Sequence, residues 1–400
     1  MTTTKLKSWT DEHLKGDPII WGVVILLTIL SLFVVYSATS SLAFRKMEGN
    51  TEHYLFKHGL LLFGGLVAML GAHRINYLYL PRIARLLLLV SIPLLAITYL
   101  FGGEVNEASR WLKIPVINQA FQPSDLAKLA LIIYLASLLS RNQQNMHSLD
   151  TLWPVFAWVG LIGGLIALSN FSTALMLGMT CMLLMVIGRV PGRYLGALAI
   201  VGVLVLTFAF FAGQRGNTLL SRVSDFADPN KIPYQTQQSY IAIANGGIFG
   251  QGPGNSTQKD FLPHPYSDFI YAIILEEYGL IGGALVLGLY LTLLYRGMVT
   301  VAKSDNSFGA LLSAGLSFSL AIQAMLNMAV ATGLVPVTGQ PLPMLSMGGT
   351  SLIFTGVSLG LILSVSKGPR PMGLSAQRKT TRRTSATFAS PRSAQTPYGA

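Results

Sequence analysis

The sequence predicts an all-α integral membrane protein with ten transmembrane helices. Hydrophobic residues make up 52% of the 400-residue chain and charged residues only 11%, and the mean hydropathy is +0.54. A soluble domain carries about 25% charged residues. Long apolar segments recur along the chain between shorter polar ones, so we expect the chain to cross a membrane repeatedly.

Ten apolar segments approach the length of about 20 residues that a membrane-spanning helix needs. They lie near 19–39, 55–73, 84–102, 123–140, 152–169, 171–188, 194–213, 269–295, 308–331 and 345–366. The fifth and sixth segments are so close that a tight hairpin is expected between them. The predicted divisions are a leader, 1–18; a membrane domain, 19–366, with a large loop at 214–267 between helices seven and eight; and a tail, 367–400.

Basic residues predict the orientation of these helices. With the N-terminus inside, 18 Lys and Arg residues lie on the inner side and nine on the outer side. Cytoplasmic segments are the richer in Lys and Arg, so both termini are predicted to be cytoplasmic and the loop 214–267 extracytoplasmic. The tail holds seven of the basic residues and no acid, which predicts a disordered segment that favours anionic lipid over nucleic acid.

The loop 214–267 is the longest predicted loop. Loops of more than about 12–15 residues are usually functional or disordered. Residues 235–244 could form a short helix at the membrane interface, ended by Gly246 and Gly247. The last part of the loop contains Gly250, Gly252 and Gly254, followed by Lys259 and Asp260. The glycines do not indicate a nucleotide site, because no strand is predicted before them.

Asp268 lies where this loop meets an apolar helix. We expect it to start the helix, with Ser267 as the N-cap, and the helix dipole would keep its carboxylate ionised. Such a carboxylate can accept a proton from an attacking hydroxyl, although from its position alone an ordinary helix-start aspartate is the better explanation. Glu276 and Glu277 would be costly in lipid, so 268–277 is predicted to line a cavity or the interface. One glutamate is expected to pair with a basic residue of the loop.

Other candidates are basic or aromatic. Lys128 lies near the start of the fourth span, where an intramembrane lysine suggests function; a pair with Asp125 or snorkelling explains it as well. Arg110 and Trp111 could hold a phosphate or a sugar, although tryptophan is common at membrane interfaces. Arg222 and Lys259 suit a diphosphate, or belong to the solvated surface.

Two further observations limit the chemistry. The uncharged stretch 332–351 is dense in Pro and Gly, which predicts broken or re-entrant helix lining protein or a cavity. The six histidines are scattered without metal-ligand spacing, no Ser/His/Asp set is visible, and the single cysteine excludes an intrachain disulfide.

Together these segments resemble the SEDS family (shape, elongation, division and sporulation), to which FtsW and RodA belong. The resemblance runs from about residue 17 to 367 and rests on four motifs in a specific order and spacing. The motifs are residues 106–111 with Gln122-Pro-Ser-Asp-Leu-Ala-Lys128, the loop 234–255, the stretch 262–277 with Ser267-Asp268-Phe-Ile and Glu276-Glu277, and residues 333–351.

The resemblance implies an inverting peptidoglycan glycosyltransferase that polymerises lipid II at the outer face of the cytoplasmic (inner) membrane. The family's essential aspartate falls on Asp268, its helix-four lysine on Lys128, and an acidic loop position on Asp260. The substrate-binding residues expected from these motifs and from the charges are Lys128, Arg110, Trp111, Arg222, Lys259, Asp260, Gln235, Gln238, Ser239, Asn255 and Glu277. A divalent cation, Mg²⁺ or Mn²⁺, could assist. The partners implied are a class B penicillin-binding protein, other division proteins and membrane lipids.

The chain departs from the family at one motif. Asn170 and Ser172 stand where the family often has an acid and a glycine, so Lys128 cannot form a salt bridge there. Either Lys128 pairs with Asp125 or Asp268, or its role is relaxed in this chain. Tyr36-Ser-Ala-Thr-Ser and the polar leader favour septal over elongation synthesis. A lipid II flippase and a non-catalytic division scaffold are the alternatives. The spans carry few charges, which favours chemistry at the outer face over passage through the bundle.

Overall fold

The computed structural model describes residues 15–46, 51–101, 103–105, 108–114, 119–143, 146–212, 224–226, 228 and 231–368. Its α-helices are α1 (Pro18–Lys46), α2 (Thr51–Arg74), α3 (Leu80–Phe101), α4 (Pro123–Arg141), α5 (Leu149–Ser169), α6 (Phe171–Ile187), α7 (Gly192–Ala212), α8 (Tyr234–Gly246), α9 (Ile270–Lys303), α10 (Ser307–Ala331) and α11 (Ser351–Ser366). Short 3-10 helices cover Tyr77–Tyr79 and Gln258–Asp260. The leader up to residue 14 and the tail from 369 lie outside the described residues.

The predicted helical membrane fold is confirmed. In the described part of the chain, seven helices are long and apolar enough to cross a membrane, and α6, α11 and residues 192–205 of α7 are shorter apolar helices. The count of ten spans therefore stays a prediction. The tight hairpin is confirmed, because Asn170 alone separates α5 from α6, and its Oδ1 accepts from Thr173 N at 3.3 Å.

The sequence did not indicate a small antiparallel sheet between α3 and α4. It consists of β1 (Gly103–Val105), β2 (Ala108–Ile114) and β3 (Gln119–Phe121), in that order. Gly103 pairs with Trp111, and Lys113 pairs with Ala120. β1 and β3 have three residues each, too few for an alternating pattern, and the seven residues of β2 do not alternate between apolar and polar.

α4 and α10 form the centre of the bundle and are its most buried spans. α11 packs along α2 through glycines. A Cβ atom at Gly356 would lie 2.0 Å from Gly65 O, and one at Gly360 would lie 2.2 Å from Met69 O. Small residues permit such backbone contact between membrane helices, so these two positions fix the register of α11 against α2.

One predicted helix start was wrong, and one predicted helix is interrupted. The last helix begins at Ser351 instead of 345, because residues 332–350 form the irregular backbone that their Pro and Gly content predicted. α9 begins at Ile270 and is interrupted at Gly279, which has φ 65° and ψ −167°. This break separates the acidic segment 270–278 from 280–303, as expected from the cost of placing Glu276 and Glu277 in lipid.

The two ends of the described chain meet at one end of the bundle. Asp17 N donates to Ser366 Oγ at 3.1 Å, and Arg296 Nε donates to Asp17 Oδ2 at 2.7 Å. Asp17 Oδ1 also accepts from Ile19 N at 2.9 Å, which caps α1. Segments 231–268 and 332–350 lie at the other end, which we call the loop end.

Candidate functional site

Asp268 is partly buried in the turn that leads into α9. Its Oδ1 accepts from Ser267 Oγ at 2.9 Å. The prediction that Ser267 caps the helix is wrong: Phe269 is the N-cap residue and makes no side-chain cap bond. The Ser267 hydroxyl is instead committed to the neighbouring carboxylate, so it orients the acid that the sequence singled out.

The backbone around Asp268 is held at three successive carbonyl oxygens. Tyr266 O accepts from Met347 N at 2.9 Å, and Ser267 O accepts from Ser346 Oγ at 2.6 Å. Asp268 O accepts from Asn327 Nδ2 at 2.9 Å. Because all three donors belong to α10 or to the irregular segment 332–350, the position of Asp268 is set by the bundle itself.

The segment 332–350 is in turn bound to the bundle by two amide side chains. Asn327 Nδ2 also donates to Gln340 O at 2.7 Å. Gln340 Nε2 donates to Thr173 Oγ1 at 2.9 Å, at the start of α6. The segment is therefore a rigid support for Asp268 that joins α6 and α10, and its lack of charge reflects burial between helices.

Tyr266 lies beside Asp268 and keeps its proton at neutral pH. Burial raises the pKa of the Tyr266 phenol above 10.0, and the charges of Tyr54 and Asp268 raise it further. The phenol oxygen lies 3.3 Å from His264 Nδ1. A protonated phenol close to the Asp268 carboxylate is a neutral neighbour that can donate a hydrogen bond but adds no charge.

Glu276 anchors the loop. It is fully buried, and its carboxylate accepts from Thr257 Oγ1 at 2.9 Å, Thr257 N at 3.1 Å and Gln258 N at 3.2 Å, as well as from Ser256 Oγ. The predicted pair with a basic residue is wrong for Glu276, because hydroxyl and backbone N–H donors occupy its oxygens. The carboxylate thus holds the 3-10 helix Gln258–Asp260 against α9.

At the Gly279 break, the loop exchanges hydrogen bonds with the helix. Gln251 N and Gly252 N donate to Glu276 O and Glu277 O, each at 2.9 Å. In an unbroken helix those carbonyls would accept from residues 280 and 281. The N–H groups of Leu280 and Ile281 instead donate to Gly247 O and Ile248 O, at 2.9 and 3.3 Å.

This exchange requires glycine at three positions. A Cβ atom would lie 1.9 Å from Leu275 O at Gly246, 2.2 Å from Glu277 O at Gly250, and 2.3 Å from Ile248 O at Gly279. Gly250 and Gly279 also have positive φ, 85° and 65°, which glycine adopts without steric cost. Gly246 and Gly250 therefore allow the backbone of the loop to contact the backbone of α9.

Lys128 pairs with Asp125, one of the two partners that the sequence offered for it. Its Nζ lies 2.8 Å from Asp125 Oδ1, and both side chains are largely buried. They line a cavity of about 30 Å³ with Gln323 of α10 and hydroxyl residues of α10 and α11. Gln323 Nε2 also donates to Pro341 O at 2.9 Å, so α10 connects the surroundings of Lys128 with the support of Asp268.

The predicted loop residues gather around the Glu276 anchor. Lys259 Nζ donates to Gly254 O at 2.8 Å, and Lys259 O accepts from Ser41 Oγ at 3.1 Å. Asp260 is exposed on the same 3-10 helix. Asn255 is exposed, and its Nδ2 donates to Gln251 O at 3.1 Å. These three residues lie at the loop surface, close to α9.

The other predicted site residues differ in their burial. Glu277 is buried and accepts from Ser37 Oγ. Gln235 and Gln238 are partly exposed on α8, whereas Ser239 is fully buried and donates to Ala331 O at 2.5 Å. The backbone of Arg110 and Trp111 belongs to β2, but their side chains, like all of Arg222, lie outside the described residues.

The sequence reasoning missed the residues that support the site. Ser37 and Ser41, one turn apart on α1, hold Glu277 and Lys259. Asn327 and Gln323, one turn apart on α10, hold the segment 332–350. These residues could have been noticed in the sequence, because polar side chains inside an apolar span need a hydrogen-bond partner. The sequence does not indicate which residue that partner is.

The fold and site define a multi-pass membrane protein whose polar residues converge at one end of the bundle, around Asp268 and an anchored loop. Residues 17–370 match the family described as cell cycle protein, which comprises FtsW, RodA and SpoVE. The chain belongs to this family.

Relatives and solved structures agree with this assignment. The chain is 35% identical over 361 residues to the probable peptidoglycan glycosyltransferase FtsW of Geobacter metallireducens, covering 88% of this chain and 94% of the relative. It is 35% identical over 355 residues to that of Halomonas elongata, covering 86% and 89%.

Two solved structures share the fold. One is a chain of a peptidoglycan synthase complex, described in terms of the coordination of polymerization and crosslinking, with a TM-score of 0.67 at 26% identity over 88% of this chain and 97% of that one. The other is the rod shape determining protein RodA of Thermus thermophilus, with a TM-score of 0.64 at 26% identity over 88% and 96%.

Proposed function

We propose that this protein is a peptidoglycan glycosyltransferase that polymerises lipid II into glycan strands during septal wall synthesis. The observation that carries the proposal is the fixed position of Asp268. Its backbone is held at three successive carbonyls while its side chain remains partly exposed beside an anchored polar loop. The names of the FtsW relatives support the reaction class.

The proposed chemistry is an inverting displacement. The C4 hydroxyl of the acceptor's N-acetylglucosamine attacks the anomeric carbon of the donor's N-acetylmuramic acid, and Asp268 takes the hydroxyl proton. A glycosidic C–O bond forms as the bond to the polyprenyl diphosphate breaks. General bases of this kind contribute about 10²–10⁴ in rate. The hydrogen bond from Ser267 Oγ to Oδ1 orients the carboxylate for this transfer.

Cations of the loop would meet the negative charge that develops on the departing diphosphate. Lys259 suits this role, because it is held at the loop surface by Gly254 O. Arg222 is proposed for the same role from its position in the sequence. Lys128 is paired with Asp125, so we assign it to the support of the bundle near the site.

Mg²⁺ or Mn²⁺ would need ligands beyond those of the protein described here. Among the described residues, no three His, Cys, Asp or Glu side chains form a group that could hold a metal ion. A divalent ion would fit this site only with oxygen ligands from the diphosphate of the substrate.

The reaction is proposed to occur at the outer face of the cytoplasmic membrane, with both termini inside. The excess of basic residues on the opposite side from the loop supports this orientation. The meeting of Asp17 and Ser366 at the other end of the bundle supports a common side for both termini. The proposed partner is a class B penicillin-binding protein, since one structural neighbour belongs to a peptidoglycan synthase complex.

The test is polymerisation of lipid II by the purified protein, with and without the transpeptidase, compared with Asp268→Ala. We expect glycan strands from the wild type and none from the variant, with equal yield and equal binding of the partner. Polymer formed by Asp268→Ala would contradict the assignment of the base. Transfer of lipid II across liposomes by a wild type that makes no polymer would establish the flippase instead.

A further inference from the structure

We propose that the loop tip, defined as Ile248 and Phe249, inserts into the acyl chains of the membrane leaflet at the loop end. The tip is a turn of the long loop, and it is apolar and exposed: Ile248 is 60% exposed and Phe249 is 81% exposed. Anchoring of the tip in the membrane is independent of the proposed reaction.

The tip is bound to the lipid-facing surface of α9. Leu280 N donates to Gly247 O and Ile281 N donates to Ile248 O, so the tip lies level with the first residues after the Gly279 break. Leu280 and Ile281 are themselves 62% and 54% exposed. The tip therefore continues the apolar surface that this membrane span presents to lipid.

The length of the helix places this surface within the hydrocarbon. Leu280 precedes Arg296 by 16 residues, which corresponds to about 24 Å of helix. Arg296 is paired with Asp17, just before α1 begins, and so lies at the opposite boundary of the membrane. The hydrocarbon core is about 30 Å thick, and any tilt shortens the height spanned by the helix. Leu280 and the tip bonded to it therefore lie below the nearer membrane surface.

The backbone of the tip is suited to this depth. Non-helical backbone is tolerated within a membrane only where its polar groups are paired inside the protein. The exchange at the Gly279 break pairs Gly247 O and Ile248 O with α9, and Gln251 N and Gly252 N with the carbonyls of Glu276 and Glu277. Gly250 N donates to Gly246 O at 2.8 Å. The carbonyls of Gly247 and Ile248 are thus paired with N–H groups of the broken helix, and two carbonyls of the helix are paired with the loop.

The side chains of the tip favour contact with lipid. Neither residue carries a charge or a hydrogen-bonding side chain, and the surface that it extends is that of a membrane span. Insertion would fix the depth of the loop, and hence of Lys259 and Asp260, which follow it. A partner helix that covered the tip is the competing occupant.

The test is site-specific labelling, which is simple because the chain has a single cysteine, Cys181, to remove. In a Cys181→Ala background, a small fluorophore is attached to Phe249→Cys, and the full-length protein is placed in bilayer nanodiscs. Its quenching by lipids brominated on their acyl chains is compared with its quenching by iodide in water. Leu285→Cys, on the exposed side of α9, is the lipid control, and Lys231→Cys, exposed before α8, is the water control.

We expect the label at 249 to lose as much fluorescence to brominated lipid as the label at 285 does, and to resist iodide. The label at 231 should respond in the opposite way. Quenching of the label at 249 by iodide, with no response to brominated lipid, would overturn the proposal, as would shielding from both quenchers, which indicates a protein cover. Ile248→Cys gives the same readout if Phe249→Cys does not fold.

Discussion

At the scale of single residues, the site depends on polar side chains that are buried inside the bundle. Asn327 donates from one nitrogen to both Asp268 O and Gln340 O, whereas Gln323, one turn earlier, donates to Pro341 O. Asn327 thus connects the catalytic candidate directly with its support, and Gln323 reaches only the support.

This difference gives a matched pair of variants. Asn327→Leu removes both hydrogen bonds and leaves the buried Gln340 carbonyl and the partly buried Asp268 carbonyl unpaired, at a cost of up to about 1–3 kcal/mol for each group. We expect glycan synthesis to fall much further than the amount of folded protein. Gln323→Leu, which leaves the Asp268 contact intact, should lower thermal stability but retain most of the activity. Equal losses of activity in the two variants would contradict a positioning role for Asn327.

The sequence identified Asp268, Lys128 and the glutamate pair as unusual, and it offered Asp125 as a partner of Lys128, but it did not identify the partners of the glutamates. An acid beside an apolar helix is visible in a sequence, because its cost in lipid is large. The donors to Glu276 are hydroxyl and backbone N–H groups about 20 residues earlier in the chain. Such groups are common in any polar loop, so nothing in the sequence distinguished them from solvated residues.

At the scale of elements, the break in α9 lets the backbone of the loop form hydrogen bonds with the backbone of the helix. Gly279→Ala would place a Cβ atom 2.3 Å from Ile248 O in a left-handed conformation, which costs a non-glycine residue about 1–3 kcal/mol before any clash. We expect a lower melting temperature and faster hydrogen exchange at residues 246–252.

Gly288→Ala is the control for this prediction on the same helix. A Cβ atom at Gly288 meets nothing within 4 Å, and alanine stabilises a helix by about 1 kcal/mol relative to glycine. The melting temperature should therefore be unchanged or higher. If Gly279→Ala behaved like Gly288→Ala, the exchange of hydrogen bonds would not be a constraint on this protein.

The anchor made by Glu276 gives a second prediction for the loop element. Glu276→Gln turns one acceptor oxygen into a donor amide that faces Ser256 Oγ, Thr257 N and Gln258 N. We expect residues 255–260 to exchange amide hydrogens faster and glycan synthesis to fall. In Glu277→Gln the remaining carbonyl oxygen can still accept from Ser37, so the loop should stay protected. Protection of 255–260 in both variants would refute the anchor.

Some boundaries of the helices could be predicted from the sequence and others could not. The hairpin at Asn170 follows from two apolar runs with no room for a loop. The break at Gly279 could not be located, because isolated glycines are frequent in membrane helices and most of them in α9, such as Gly288, are tolerated without a kink. The need for glycine arises only from the approach of the loop, which is a tertiary contact.

At the scale of the whole molecule, the first and last described segments are joined. Arg296 contacts Asp17 through Nε and Nη2, and Asp17 N donates to Ser366 Oγ. The Asp17 side chain is largely buried, so removing Arg296 would leave a poorly solvated carboxylate. The contact closes the end of the bundle that is opposite the candidate site.

A double-mutant cycle measures this closure. Asp17→Ala and Arg296→Ala should each lower the stability of the purified protein, and the double variant should be little worse than the more harmful single one. The coupling free energy is expected in the range of about 0.5–3 kcal/mol that contacting residues give. Strictly additive effects would mean that the pair does not join the two ends.

The central claim is that Asp268 transfers a proton and does not merely hold the substrate. The rate of glycan synthesis and the affinity for lipid II should be measured on one preparation of Asp268→Asn, with Asp305→Asn, an exposed acid remote from the site, as the charge-matched control. The account predicts a rate lower by about 10²–10⁴ with unchanged affinity, and no effect of Asp305→Asn. A rate near that of the wild type, or a loss explained entirely by weaker binding, would contradict it.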